Sequence, residues 1–202
     1  MNILFVCTGN TCRSPMAEAL IRHKMPEISV QSAGIFAVND QRPNTKAITV
    51  LEKKNIPMDS KSQPVTNPLL HWADLVITMT TQHKQSLIMQ HPDFQEKYFT
   101  LKEYVSEDKK VWNELTQAYA ELEEKRSRII FENQHTLSKR KLEEKLAGEL
   151  EEGIHNIRNL EANLINYDIS DPFGGSLETY QQTLDELEKY IGLLVKKING
   201  NT

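Results

Sequence analysis

The residues best suited to chemistry stand together near the start of the chain, as Cys7, Thr8, Gly9, Asn10, Thr11, Cys12, Arg13 and Ser14. Cys7 supplies a thiol that becomes a strong nucleophile once deprotonated. Arg13 supplies a planar fork that matches two oxygens of a phosphoryl group. The residues from Thr8 to Ser14 lie between an apolar run, Ile3 to Val6, and a helix-like run, Pro15 to Lys24. A loop between a strand and a helix N-terminus gathers unpartnered backbone N–H groups and can cradle an anion. Gly9 is expected to take the tight or left-handed backbone that turns those groups inward. Ser14 suits the N-cap of the following helix and Pro15 its first position. The converging dipoles and Arg13 both favour the thiolate form of Cys7. Together these parts make a nucleophile, an oxyanion nest and a bidentate clamp.

The elements that must position this loop follow from periodicity. Asn2 to Val6 reads as a short buried strand. Pro15 to Lys24 reads as a helix with Met16, Ala19, Leu20 and His23 on one face, closed by Pro26. Ile28, Val30 and Ser32 suggest a second strand that runs into Ala33 and Gly34. A helix is expected over Pro43 to Asn55, and a short one from an Asn67 cap to Trp72 with Pro68 at its first position. Leu75 to Met79 is continuously apolar, as in a strand buried on both faces. A helix from Thr80 or Thr81 to about Gln90 follows, and Tyr98 to Leu101 reads as a fourth strand. Strands alternating with helices predict an α/β fold, a doubly wound four-stranded parallel sheet with helices on both faces. Ligands bind outside the C-terminal ends of such strands, and Cys7 stands at one.

Composition bounds the rest. The 202 residues are 39% hydrophobic and carry a net charge of −4, enough for a core and without the basic stripe of a nucleic-acid binder. No stretch approaches the roughly 18 apolar residues of a membrane span. The N-terminus enters a strand without the basic, apolar and cleavage segments of a secretory signal. Two cysteines five residues apart make no disulfide scaffold and fit a reducing cytoplasm. No nucleic-acid or membrane partner is expected, and the expected location is cytoplasmic.

From Glu107 to Tyr167 the chain becomes densely charged and lacks proline. Apolar positions recur at helical spacing, first at Val111 or Trp112, Leu115, Ala118 or Tyr119, Leu122, Ile129 and Ile130. A second series runs through Leu142, Leu146, Leu150, Ile154, Ile157, Leu160 and Leu164. Between them Asn133 to Thr136 breaks the pattern, and Thr136 or Ser138 can cap the second helix. The prediction is an inserted α-helical hairpin over residues 107–167, two antiparallel helices each roughly 25 residues and 38 Å long. It divides a domain made of residues 1–106 and 168–202. Gly148 or Gly153 is expected to mark a bend or a close approach between the two helices. The hairpin is either a solvated appendage or an arm for a protein partner or self-association. The final helix, Ser176 to Asn199, packs Leu177, Tyr180, Leu184, Leu187, Ile191, Leu194, Val195 and Ile198 on the sheet and ends at Gly200.

The run VCTGNTCRSPMAEAL resembles the low-molecular-weight protein-tyrosine-phosphatase family, and within it the bacterial protein arginine phosphatases. Ser32-Ala33-Gly34, Ala73 to Met79, Thr100 to Tyr104 and Asp171 to Ser176 fit the same family. The resemblance covers residues 1 to about 106 and about 168 to 199, and the hairpin departs from it. It implies that Cys7 is the nucleophile, forming a phosphocysteine, that Arg13 and the loop hold the phosphoryl oxygens, and that Asp171 is the general acid. The Ser14 hydroxyl would hydrogen-bond the Cys7 sulfur. In the implied loop Cys12 lies near Cys7, so a reversible Cys7–Cys12 disulfide is a second expectation. No metal or cofactor is required, because Arg13 and the nest supply the positive charge.

Four readings compete. Thr11 resembles the threonine that marks arginine phosphatases, where tyrosine-specific relatives place a bulkier aliphatic residue. A hydroxyl there suits a planar, N–H-rich phosphoguanidinium, whereas a phosphotyrosine ring wants an apolar wall. Phe173 and Phe36 are the candidate walls of the pocket. A thioredoxin-coupled arsenate reductase needs further cysteines, and none follows Cys12. A dead binding module conflicts with intact Cys7, Arg13 and Asp171. The expectation is a phosphatase acting on phosphoarginine in proteins, with phosphotyrosine as the alternative.

Overall fold

The computed structural model describes residues 1–106, 109–134, 136–162 and 166–200. The chain divides into two compact units, residues 1–105 with 167–202, and residues 106–166. The first unit is built on four parallel strands, β1 (Asn2–Cys7), β2 (Ser29–Gly34), β3 (Leu75–Thr78) and β4 (Tyr98–Thr100), in the order β2-β1-β3-β4. Ile3 of β1 stands opposite Val30 on one side and Leu75 on the other. Winding reverses at β1, so the strand that ends in Cys7 also marks the crevice where the two halves part.

Alternation along β1 sorts its side chains between two apolar layers. Ile3, Phe5 and Cys7 join one cluster, while Leu4 and Val6 join the other. The first layer is covered by α1 (Arg13–Lys24), α2 (Thr45–Glu52), α5 (Leu101–Val105) and α8 (Leu177–Gly200), which contribute Leu20, Leu51, Leu101 and Leu187. On the second, α3 (Asn67–Trp72), α4 (Thr81–Gln90) and a 3₁₀ turn (Pro92–Lys97) contribute Leu70, Leu87 and Phe94. Both faces of the parallel sheet are therefore dry, and β1, with Ile3 to Cys7 all buried, has the unbroken apolar sequence of a central strand.

Several boundaries differ from expectation for local reasons. The helix expected over Pro43 to Asn55 spans only Thr45–Glu52, because the Asn44 side chain caps it by accepting the Lys46 N–H. Thr66 rather than Asn67 caps the short third helix, accepting the Leu69 N–H. Strand β4 stops at Thr100, whose hydroxyl accepts the Glu103 N–H and starts a single turn of helix that periodicity cannot register. Of the two expected starts, Thr80 and Thr81, α4 begins at Thr81, with Thr80 as its cap accepting the His83 N–H.

The second unit consists of α6 (Lys109–Asn133) and α7 (Lys139–Ala162). Lys125 pairs with Glu149 at 3.8 Å and Lys145 donates to Asn133 at 3.1 Å, so residues later in α6 meet residues earlier in α7 and the helices are antiparallel. Ala118, Ile129, Leu150 and Ile157 are buried. Ala118 faces inward and leaves Tyr119 exposed, while Ile154, placed on the inner stripe by sequence, is itself exposed. A Cβ on Gly153 would stand 2.6 Å from Leu122 Cδ1, which identifies it as the close approach, and Gly148 has open space around it. Leu164 and His135 lie outside the described residues, as do the side chains of Val111, Trp112 and Leu115.

Candidate active site

The loop from Cys7 to Arg13 joins the end of β1 to the start of α1. Its left-handed residue is Asn10, with φ 55°, and not Gly9, whose φ is not positive. Asparagine tolerates this region better than other residues with a Cβ. Here its side chain also holds the turn. The amide nitrogen donates to Ser14 Oγ at 3.0 Å and Ser32 Oγ at 2.8 Å, and the amide oxygen accepts the Gln63 N–H at 2.9 Å. Three anchors from three segments hold a conformation that costs on the order of 1 kcal/mol or more.

The helix start also differs from expectation. Helix α1 begins at Arg13, with Cys12 at the cap position and no side-chain cap. Ser14 therefore lies inside the first turn, and Pro15 occupies the third helical position, where the missing N–H is still harmless. The Ser14 hydroxyl is not free for capping because it lies 3.0 Å from Cys7 Sγ. Buried Glu18 sets the direction of the chain behind it. The Glu18 carboxylate, ion-paired to Arg22 at 2.6 Å, accepts from Ser32 Oγ at 2.5 Å. With its proton committed there, Ser32 accepts from Asn10, and Asn10 donates its other N–H to Ser14. Ser14 then donates to the Cys7 sulfur or, at 3.3 Å, to the Ala33 carbonyl. A donor aimed at sulfur stabilises a thiolate.

Gly34, at the end of β2, lets the loop lie against the sheet. A Cβ there would fall 2.7 Å from the Thr8 carbonyl oxygen and 2.8 Å from the Asn10 nitrogen. Beyond it, the Ile35 and Phe36 N–H groups donate to the Cys7 and Thr8 carbonyls at 3.0 and 2.9 Å. The Thr11 carbonyl accepts the Asn44 N–H at 2.8 Å.

Arg13 is buried, and its guanidinium reaches the loop before α8. It donates to the Ile169 carbonyl at 3.4 Å and pairs with Asp171 at 2.9 Å. Asp171 is half exposed, and its second oxygen accepts the Phe173 N–H at 3.2 Å. Pro172 follows, and Gly174, at φ 77°, turns the chain toward α8. The structure thus brings Cys7, Arg13, Ser14 and Asp171 to one loop cluster. Phe36 and Phe173 are both exposed, one following Gly34 and the other in the Asp171 loop.

Cys12 is buried, with Tyr180 Oη 3.3 Å and Thr11 Oγ1 3.7 Å from its sulfur. Burial pushes its thiol up, against those two hydrogen bonds, and the nearby Cys7 and Asp171 add to the rise. Both cysteines are free.

Sequence reasoning missed His83, which comes from α4. Its Nε2 lies 2.9 Å from Thr8 Oγ1, while its buried Nδ1 has no partner. Burial, then the Arg13 charge, lower it from 6.5 to about 4, with Asp171 and Asp168 opposing. Its place just beyond the C-terminal end of β3 was the available signal. Glu18, Ser32, Gln63 and Gly34 were missed as supports for the loop.

The chain as a whole is similar to known proteins. A family model described as low molecular weight phosphotyrosine protein phosphatase matches residues 2–152. A protein-arginine-phosphatase of Bacillus subtilis is 34% identical over 98% of this chain and 97% of its own length. The low molecular weight protein-tyrosine-phosphatase PtpB of Staphylococcus aureus is 45% identical, over 53% of this chain and 76% of its own. Among solved structures, the YwlE arginine phosphatase of Geobacillus stearothermophilus superposes with a TM-score of 0.68 at 31% identity, covering 99% of this chain and 94% of that one. A YwlE mutant with a phosphorylated active-site serine gives 0.66 at 33% identity, covering 98% and 96%. With its cysteine loop closing a parallel α/β sheet, this chain belongs to the low molecular weight phosphotyrosine protein phosphatase family.

Proposed function

We propose that the chain is a protein arginine phosphatase working through a phosphocysteine. The observation that carries the mechanism is the convergence of Cys7, Arg13 and Asp171 at one end of β1, with Ser14 Oγ 3.0 Å from the sulfur. The Cys7 thiolate attacks phosphorus, forming the S–P bond as the P–N bond breaks. Arg13 and the N–H groups of Thr8 to Ser14 hold the equatorial oxygens, where charge spreads in a loose transition state. Asp171 gives its proton to the departing guanidine nitrogen. As a carboxylate it then takes a proton from the water that attacks the phosphocysteine, releasing phosphate and returning the thiolate.

Near-full-length similarity to the arginine phosphatases and the Thr11 hydroxyl support phosphoarginine over phosphotyrosine. The exposed rings of Phe36 and Phe173 would serve as walls for the substrate side chain. Phosphorylated proteins are then the substrates, and two free thiols agree with a cytoplasmic setting. The test is kcat/KM on phosphoarginine and phosphotyrosine for the wild type and Thr11→Ile. Losing a hydrogen bond to a charged group costs about 1.5–3 kcal/mol, so the preference for phosphoarginine should fall at least about tenfold. A wild type that prefers phosphotyrosine, or a ratio that Thr11→Ile leaves unchanged, assigns the site to tyrosine phosphatase chemistry.

A further inference from the structure

Residues Asp168 to Ser170, just before the general acid, are each tied to a different part of the core. The Ile169 N–H donates to the Met79 carbonyl at 2.8 Å, beyond the end of β3. Asp168 Oδ1 accepts the Thr81 N–H at the start of α4, at 2.7 Å. Lys102, from α5, donates to the Asp168 carbonyl at 2.7 Å and pairs with Glu186 of α8, also at 2.7 Å. The other Glu186 oxygen accepts both the N–H and the hydroxyl of Ser170, at 3.0 and 2.7 Å. The ammonium and carboxylate of one ion pair thus grip the backbone on either side of Ile169.

Lys102 is only 8% exposed, with its ammonium 5.2 Å from the Tyr190 ring centroid. Burying such a pair is a poor way to gain stability, because apolar side chains of similar size usually do as well or better. Its value here lies in geometry. Burial works to raise the Glu186 carboxyl, yet hydrogen bonds from Lys102 and Ser170 hold it below its ordinary value. Asp171 takes its place from the three residues that this pair and its neighbours fix.

We propose that Lys102 and Glu186 are positioning residues for the general acid, setting the reach of Asp171 through the backbone of residues 168–170. This rests on the reading of Asp171 as the acid. Neither side chain meets the substrate. A displacement of about 1 Å at a reacting group costs on the order of 100-fold in rate, so modest loosening of this grip is visible in kinetics.

The experiment compares Lys102→Met and Glu186→Gln with wild type and Asp171→Asn on phosphoarginine and on aryl phosphates of graded leaving-group pKa. The brace variants should lose roughly 10- to 100-fold in kcat on poor leaving groups and little on good ones. Inhibition by inorganic phosphate should stay within about twofold of wild type, since the loop from Cys7 to Arg13 is anchored on Ser14, Ser32, Gln63 and Asn44 and meets the braced segment through Arg13. Combined with Asp171→Asn, either substitution should cost less than about twofold more. Equal losses on all leaving groups, undiminished losses in the Asp171→Asn background, or wild-type kinetics in both variants would overturn the proposal. Glu186→Gln keeps the side-chain shape and serves if Lys102→Met fails to fold. If Asp171→Asn alone shows no added dependence on the leaving group, the assignment of the acid fails instead, which is a separate outcome.

Discussion

Replacing His83 by Gln should remove a defined part of the acid sensitivity of the fold. The imidazole is buried, with Nε2 beside Thr8 Oγ1 and Nδ1 unpartnered, and its value falls from 6.5 to about 4. Between those two values the unfolded chain holds a proton that the folded one refuses, so stability rises with pH across that window. The contribution is complete above about pH 6.5 and is lost as pH falls toward about 4. At 1.36 kcal/mol per unit, the change between pH 7 and pH 4.5 comes to about 2 kcal/mol. Gln offers an amide to Thr8 but does not titrate. Urea unfolding of both proteins at pH 7 and 4.5 isolates the difference, because the carboxylates titrate alike in each. Wild type should lose about 2 kcal/mol more than His83→Gln over that interval. Parallel losses would refute the reasoning, showing that the imidazole is hydrated or charged in the folded state.

Three further outcomes are expected. Gly34→Ala drives a Cβ against backbone of Thr8 and Asn10 on one side and Ala37 on the other, so it should cost about 1–3 kcal/mol and lower kcat/KM on phosphoarginine, read by thermal melts and initial rates. Mild peroxide should oxidise Cys7 to a sulfenic acid that Cys12 converts to a disulfide with loss of water. Because burial raises the Cys12 thiol, that step should be slow at neutral pH and quicken as pH rises, and mass spectrometry that finds only Cys7 sulfinic acid would exclude it. A Gly/Ser linker in place of residues 107–166 should leave a folded phosphatase active on a small substrate, and loss of that activity would make the hairpin part of the catalytic fold.

The nucleophile loop was legible because its parts are local. Strand, Cys7, Arg13 and helix lie within 24 residues, and the apolar run, the thiol, the guanidinium and the helix start all point to one anion-binding turn. Its internal conformation was not legible. Two of the three anchors that hold Asn10 in its left-handed turn, Ser32 and Gln63, lie 22 and 53 residues away. Ser14 reads as a cap by type, but its hydroxyl is engaged with the Cys7 sulfur. His83, Lys102 and Glu186 look in sequence like any polar residues on helices, and only the packing of α4, α5 and α8 brings them to the loops. The long helices α6 and α7 were visible because period 3.6 accumulates over seven turns, whereas the single turn at Leu101–Val105 cannot accumulate it.

The bond from Lys102 to Asp168 joins residues 66 apart in sequence, one before residues 106–166 and one after them. For a disordered loop of that length, closure would cost about 2 kcal/mol more than for one of five residues, at about 0.6 kcal/mol for each doubling. Here α6 and α7 run antiparallel, so their own packing returns the chain toward its starting point and absorbs part of that entropy. Within the first unit, the ammonium of Lys102 and the carbonyl oxygen of Asp168 close the chain on either side of that segment. Because that closure lies inside the first unit, the register of the Asp171 loop should not depend on the length of the segment between, so longer and shorter linkers in place of residues 107–166 should give the same kcat on a small substrate.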